Sequence, residues 1–291
     1  MELYILKFFE TIRCLFGDAL AITFSLFGET LFLIILVCLI YWIFSKELGE
    51  KLVVTSFSSM SVNGVIKSAV ARPRPFVNGV ISRVEIDNPL ISTMELAPYE
   101  SFPSGHSQVA GGMFFTGALH FNRVWGWILF PLLVLGVMLS RLYFGVHYPT
   151  DTLVGAGLGI AFAFFWHFVY KFAGKNKNFV FAVFALFAGF SLLFASAYPA
   201  KSMIELSACA LGTAICLPLE NKLVNFTDTK SVKKKLLRAV VGIVCVGVVF
   251  GGFSFLPFAF LELLAWKFIK YFCVVVTATL FVPFLFKKWN L

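Results

Sequence analysis

Charge is what this sequence has least of. Of its 291 residues only 13% are Asp, Glu, Lys or Arg, against 59% hydrophobic, whereas a soluble domain carries about a quarter charged residues. A soluble enzyme is excluded, and the chain reads as a polytopic membrane protein. Acid is scarcer than base, with 15 Asp and Glu against 24 Lys and Arg, and there are only 4 His. No carboxylate cluster of the kind that holds Mg²⁺ is present, and no Cys/His set with zinc spacing. Neither a metal nor another cofactor is therefore expected. The six Cys are scattered through apolar segments without a CxxC pair and read as small buried hydrophobes. The N-terminus lacks a basic stretch followed by a short apolar core and a small-residue cleavage site, so no cleaved signal peptide is expected. The net charge of +9 does not point to nucleic acid, because the basic residues gather at helix ends, as membrane topology demands.

What the chain does have is long apolar runs. At ~20 residues per span, the segments 20–44, 51–70, 104–121, 125–145, 151–172, 178–198, 202–219, 238–258 and 266–286 can each carry a spanning helix. The fold class expected is thus all-α, a membrane helix bundle of about nine transmembrane helices. Ahead of them, Leu3, Ile5, Leu6, Phe8, Phe9, Ile12 and Leu15 form an apolar face opposite Glu2, Lys7, Glu10 and Arg13, the pattern of an interfacial helix. Gly155, Gly157 and Gly159 on the fifth segment read as close helix packing. No internal repeat is evident.

Threading these segments alternately through the bilayer brings three polar clusters to one side: Lys67 to Pro75, Pro103 to His106, and Arg141 to Asp151. The opposite face holds 14 of the 24 Lys and Arg, including Lys233, Lys234 and Lys235, which read as topogenic rather than as a phosphoinositide patch. The face with more base is cytoplasmic, so the clusters should look outward, with the N-terminus outside and the C-terminus inside. Residues 71–103, rich in Pro, Arg and acids, are the longest stretch outside the spans near the clusters and are expected to act as a lid.

The clusters carry chemistry-bearing residues at costly positions. Arg141, His147 and Asp151 lie between two very apolar segments, where charge must be paired or used. Pro149 favours a helix start, which puts Asp151 in position to hold one imidazole nitrogen of His147 and leave the other for a substrate. Arg141, Lys67, Arg72 and Arg74 supply up to four cations, with Pro73 and Pro75 fixing the direction of Arg74. Such a set needs an anion, a phosphate monoester or diphosphate being the natural one. Ser104 can cap a new helix whose first-turn N–H groups bind phosphate oxygens, Gly105 lets a ligand approach the backbone, and His106 can protonate a leaving oxygen. His120 and His167 read as interfacial. Among the isolated acids Glu29, Glu205 and Glu262, only Glu29 is a candidate functional residue.

These residues resemble the three-part signature of the type 2 phosphatidic acid phosphatase (PAP2) superfamily. The parts are Lys67 and Arg74-Pro75 with six residues between them, Pro103-Ser104-Gly105-His106, and Ser140-Arg141 followed by His147 and Asp151. The resemblance covers about residues 51–172, with the preceding span and one later helix completing the family's six-helix core. Behind the interfacial helix, placed over 1–17, it implies a catalytic membrane core over 18–172 and helices over 173–291 that partly complete the core and partly extend it, a layout similar to larger sphingosine-phosphate or glucose-6-phosphate phosphatases. It further implies a metal-independent lipid phosphate phosphatase in which His147, assisted by Asp151, attacks phosphorus to give a phosphohistidine. His106 would protonate the departing alkoxide, and Lys67, Arg74, Ser104, Gly105 and Arg141 would hold the phosphate oxygens. The partners implied are the bilayer and a membrane lipid phosphate, such as undecaprenyl diphosphate, phosphatidate, phosphatidylglycerol phosphate or a sphingoid phosphate. The location implied is the bacterial inner (cytoplasmic) membrane, and the oligomeric state stays open. Two other readings stand beside it: a phosphotransferase using the same residues, and a non-enzymatic lipid-phosphate transporter, which would need neither a His–Asp pair nor a second His.

Overall fold

Runs of Leu, Val, Phe and Ala interrupted by Pro, Gly and short polar stretches give helices joined by tight connections, and the computed structural model is helical almost throughout. It describes residues 1–88, 91–93, 96–194, 201–255 and 263–291. The helices are α1 (Glu2–Thr11), α2 (Leu15–Leu26), α3 (Thr30–Leu39), α4 (Lys46–Val70), α5 (Gly105–Phe121), α6 (Val124–Tyr143), α7 (Pro149–Ala173), α8 (Lys177–Phe194), α9 (Lys201–Leu219), α10 (Val232–Ser254), α11 (Leu264–Val276) and α12 (Val282–Lys288). Wider π-helical turns continue α3 over Ile40–Phe44, continue α9 over Glu220–Val224, and join α11 to α12 over Thr277–Phe281. A two-residue antiparallel hairpin pairs Asp87 with Ser92 and Asn88 with Ile91.

Six helices are long and apolar enough to cross a membrane: Val124–Tyr143, Pro149–Ala173, Lys177–Phe194, Met203–Val224, Val232–Ser254 and Leu264–Lys288. The protein is a polytopic helical membrane protein. Three of the expected spans differ. The segment 20–44 is two shorter apolar helices, broken where Phe27, Gly28 and Glu29 leave the helix. The segment 104–121 yields α5, which has only 17 residues. The segment 51–70 lies in α4, whose Thr55, Ser58, Ser59, Ser61 and Asn63 are buried. The serines spend their hydroxyls on their own helix, Ser58 on Val54 O at 2.6 Å and Ser61 on Phe57 O at 2.8 Å, while Asn63 Nδ2 donates to Gln108 Oε1 at 2.7 Å. Polarity in α4 is thus turned inward, which lowers its apolar character. The three lysines 233–235 lie in the first turns of α10 rather than in a loop.

The chain divides into two units. The first comprises Met1–Ile35 and Val62–His167. Here α6 packs against α2 and α5, and Ala110, Phe114, Val134, Val137 and Ala156 form a core between α5, α6 and α7. The backbones of α5 and α7 approach so closely that a Cβ on Gly159 would lie 2.0 Å from Gln108 O, and one on Gly155 2.4 Å from Ser104 O. Gly157 faces open space and plays no part in this approach, contrary to expectation.

The loop 71–103 is tied down. Arg74 N donates to Pro98 O at 2.8 Å, Ser101 N to Arg72 O at 3.0 Å and Val84 N to Phe144 O at 3.0 Å. Ile81 is buried with Leu6 of α1 and Leu142 of α6. Arg13 grips Tyr143 O at 3.1 Å and Ser82 Oγ at 2.7 Å.

The second unit, Leu36–Ser61 and Phe168–Leu291, packs α9 against α8 and α11. Its core includes Tyr41, Trp42, Phe181, Leu217, Phe226, Val282 and Phe286. Within it Glu50 accepts from Lys177 Nζ at 2.8 Å and Asn221 Nδ2 at 2.9 Å, and Lys46 Nζ meets Glu220 at 2.6 Å.

Candidate active site

Three pieces of chain meet in the first unit. The first is the end of α4 with the loop after it. Lys67, in the last turn, donates to Glu100 O at 2.5 Å. Arg74 is buried, and two carbonyls fix its guanidinium: Nε donates to Ala97 O at 2.8 Å and Nη1 to Val146 O at 2.9 Å. Burial, and then the Arg141 charge, lower its pKa to about 10, so Arg74 stays cationic at neutral pH.

The second piece is the start of α5. Ser104 caps the helix, its hydroxyl accepting from Ser107 N at 3.4 Å, and its own N–H donates to Asp151 O at 2.9 Å. Gly105 and His106 follow in the first turn, where helix N–H groups lack intrahelical partners. These N–H groups and the helix dipole favour an anion.

The third piece runs from Arg141, in the last turn of α6, to Asp151, in the first turn of α7. Gly145 has φ +71°, and a Cβ there would lie 2.6 Å from Ser82 O. That turn, pinned by fully buried Phe144 and Val146, presents His147. Pro149 opens α7 as its spacing implied. Asp151 reaches back to the N–H of Tyr148 at 2.8 Å, the reciprocal half of a capping box.

The geometry around His147 has a cation on one edge and a carboxylate on the other. Its Nε2 lies 3.2 Å from Arg74 Nη1 and its Nδ1 lies 3.6 Å from Asp151 Oδ2. A guanidinium can only donate, so Nε2 is the acceptor and Nδ1 carries the proton. The expected hydrogen bond from His147 Nδ1–H to Asp151 is not closed at 3.6 Å, because the carboxylate is engaged elsewhere. Oδ2 accepts from Ser101 Oγ at 2.5 Å as well as from Tyr148 N, and Oδ1 accepts from Arg72 Nη1 at 2.7 Å. Burial, and then the charges of Arg74, Lys67, Arg141 and His106, push the His147 pKa well below the usual histidine value. His147 is therefore a free base at neutral pH.

Arg141 is buried, 1% exposed, and donates through Nη1 to Ser25 Oγ at 2.7 Å. Ser25 in turn meets Glu29 Oε1 at 3.3 Å, and the same oxygen lies 3.0 Å from His106 Nε2 and 3.9 Å from Arg141 Nη1.

Arg72 is not turned to an anion site with the other cations. It stacks on Tyr148 at 4.0 Å and bridges Asp151, Thr150 Oγ1 at 2.7 Å and Glu2 Oε2 at 2.7 Å. Ser101 and Ser25 escaped the sequence reading altogether, and Glu2 was read only as part of the polar face of an interfacial helix. A lone Ser or Glu in a loop or at a terminus carries no spacing signal, whereas Glu29 stood out as an acid in an apolar run. His120 packs edge-on against Phe121, ring centroids 5.4 Å apart, and Glu262 lies outside the described residues.

Among the described residues no group of three or more His, Cys, Asp or Glu is placed to hold a metal ion. What fold and site define is a helical membrane protein with a cluster of buried arginines, an imidazole beside one of them and a second imidazole paired to a carboxylate. Comparison with known families agrees with that chemistry. A family model described as PAP2 superfamily matches residues 50–177, and one described as PAP2 superfamily phosphatase, transmembrane extension, matches 204–291. The chain belongs to the PAP2 superfamily of phosphatases.

Among its relatives, undecaprenyl-diphosphatase BcrC of Bacillus subtilis is 28% identical over 152 residues, half of this chain and 70% of that one. Lipid A 1-phosphatase of Rhizobium etli is 36% identical over 78 residues, 27% of this chain and 33% of that one. An undecaprenyl-diphosphatase of Sulfolobus acidocaldarius is 31% identical over 119 residues, 40% of this chain and 52% of that one. The chain thus spans most of the first relative's length, a third of the second's and half of the third's.

Proposed function

We propose that this enzyme hydrolyses the phosphomonoester or diphosphate of a membrane lipid through a phosphohistidine at His147. The observation that carries the reading is the 3.2 Å approach of Arg74 Nη1 to an unprotonated His147 Nε2. A lone pair beside a fixed guanidinium is where a phosphoryl group would be gripped and attacked at once.

In the first step the Nε2 lone pair forms a bond to phosphorus while the bond to the leaving oxygen breaks. The departing electron pair stays on that oxygen, which takes a proton from His106. Asp151 then faces the imidazolium that results. In the second step water attacks phosphorus, His106 accepts its proton, and the P–N bond breaks to release phosphate and restore His147. Lys67, Arg74, Arg141, Ser104 and the Gly105 backbone hold the phosphate oxygens, whose charge grows in the transition state; preorganised donors of this kind supply most of the acceleration in such reactions.

Residues 18–172 form the catalytic core in this proposal, 1–17 lie at the interface, and 173–291 complete and extend the bundle, for about nine crossings in all. The excess of Lys and Arg on the opposite face sets the site on the extracytoplasmic side of a bacterial inner membrane. The relatives named as undecaprenyl-diphosphatases and a lipid A phosphatase favour a long-chain lipid phosphate or diphosphate as substrate.

Phosphate release in mixed micelles, over a panel of undecaprenyl diphosphate, phosphatidate, phosphatidylglycerol phosphate and a sphingoid phosphate, tests the proposal. Acid-stable labelling should be absent and acid-labile, base-stable label should sit on the enzyme after a rapid quench. His147→Ala should lose both label and turnover while still folding; parental turnover in that variant would overturn the assignment.

A further inference from the structure

We infer that Glu29 is a positioning residue for the leaving-group acid, orienting His106 and favouring on its ring the proton that goes to the departing oxygen. The inference deepens the phosphatase reading above and rests on it. Glu29 belongs to none of the three sequence motifs. It is delivered by the break between α2 and α3, where the apolar segment stops being helical. Gly28 makes the delivery possible: a Cβ there would lie 2.9 Å from the Cβ of His106. The backbone of the break therefore rests on the histidine, and the next side chain reaches the ring.

His106 stands in an unfavourable place for an acid. It occupies the first turn of α5, where the helix dipole is positive, and it feels the Arg141 and Arg74 charges. A proton on the ring needs a nearby anion, and Glu29 Oε1 at 3.0 Å from Nε2 is the carboxylate in contact with it among the described residues. Glu29 is itself oriented by Ser25 Oγ at 3.3 Å, which Arg141 Nη1 fixes from the other side at 2.7 Å. The chain Arg141, Ser25, Glu29, His106 thus ties the acid to a cation of the phosphate pocket.

With Glu29 accepting from Nε2–H, the proton to be given sits on Nδ1. After transfer the ring is neutral, still bonded through Nε2–H, and its Nδ1 lone pair is ready for the proton of the attacking water. Glu29 gains and loses no proton over the cycle. That division of labour is the one a carboxylate plays toward a histidine in hydrolytic triads.

Leaving-group dependence provides the test, because a structural role would not respond to it. General acid catalysis is worth about 10²–10⁴-fold where the leaving oxygen needs a proton. Nitrophenolate leaves without one; the alkoxide of phosphatidate does not. Glu29→Gln should therefore lose roughly 30-fold or more in kcat on phosphatidate and less than about 3-fold on p-nitrophenyl phosphate. Added to His106→Ala, it should cost nothing further, since coupled residues are not additive. Glu29→Asp should regain part of the loss. Equal losses on both esters, no loss on either, or a full further loss in the His106→Ala background would each overturn the inference. His147→Ala assayed on p-nitrophenyl phosphate tests the parent reading in the same experiment, so failure of the one is separable from failure of the other. Size-exclusion in detergent confirms that each variant is folded, and the Asp variant keeps the test decisive if Gln does not fold.

Discussion

Arg72 separates two accounts of the site. By composition it is one of four cations available to a phosphate; by geometry it is spent on Asp151. Its guanidinium lies 2.7 Å from Asp151 Oδ1, and its other contacts, Thr150 and Glu2, are at the surface. Arg72→Ala leaves a carboxylate that is 0% exposed with Ser101 and the Tyr148 N–H as its remaining donors. Losing one hydrogen bond to a buried charge costs about 1.5–3 kcal/mol, while the surface contacts add at most ~0.5 kcal/mol each. A stability loss of about 2–3 kcal/mol is expected in detergent. The catalytic effect should fall on kcat. If the freed carboxylate draws the His147 ring out of line by as much as an ångström, about 10²-fold is lost, and a smaller shift loses proportionately less. KM should stay within about 3-fold, because an interaction made away from the substrate does not change ground-state binding. Arg72→Lys should recover part of kcat, as a point charge can reach one carboxylate oxygen but cannot also bridge Thr150 and Glu2. Steady-state kinetics in mixed micelles decide the matter. A large rise in KM at constant kcat would put Arg72 on the substrate phosphate and refute the argument.

Other expectations follow from the same contacts. His147, held well below the ordinary histidine value by burial and by the charges of Arg74, Lys67, Arg141 and His106, should remain the free base as pH falls through about 6.5. The acid limb of kcat/KM that it governs should then lie below that pH, and stability should decline below it too, since the unfolded chain takes up the proton first; an acid limb above pH 7 would contradict this. Burial opposes ionisation of Glu2, but bonds from Thr150 and Arg72 outweigh it and hold the carboxyl below its usual value. The clasp between α1 and the site should therefore be full above about pH 4.5 and loosen as pH drops further, seen as faster proteolysis of α1 in acid. Activity should survive EDTA, and a loss restored by added Mg²⁺ would count against a mechanism without metal. Gly159→Leu should prevent folding, because a Cβ there already falls 2.0 Å from Gln108 O, whereas Gly157→Leu, in open space, should fold and retain activity.

How much of this was legible beforehand depends on how local each feature is. The helix starts at Ser104 and Pro149, the location of Arg74 between two prolines and the gathering of three motifs all follow from short-range rules and from counting crossings. The broken first span was not legible, since 20–44 is apolar enough throughout to pass as one helix. The signal lay in the Gly28-Glu29 pair, weighed as an isolated acid rather than as a break. Gly157 was misjudged because a period of two cannot say which glycine faces a neighbour; only the crossing of α5 over α7 selects Gly155 and Gly159. Arg72 was counted among up to four cations of the region because sequence shows charge but not direction.

The two imidazoles illustrate why direction matters. Both carry a carboxylate neighbour, so composition alone would make them equivalent. Asp151, however, is already satisfied by Ser101, Tyr148 and Arg72 and stands 3.6 Å from the ring. It can stabilise a charge that develops on His147 during attack without holding a proton there beforehand. Glu29 stands 3.0 Å from His106 with only Ser25 as a second hydrogen-bonding contact among the described residues, and its charge is free to favour a proton on that ring from the start. A carboxylate in contact with its ring suits that histidine to carry and give a proton, and one held off leaves its ring free to attack. By that rule, exchanging the two carboxylate environments should exchange the roles' efficiency. Ser101→Ala with Arg72→Ala frees Asp151 to close on His147, and should strengthen its hold on a proton, moving the acid limb of kcat/KM upward in pH. An unmoved limb in that double variant would mean that burial and the surrounding cations, and not the occupation of Asp151, keep His147 unprotonated.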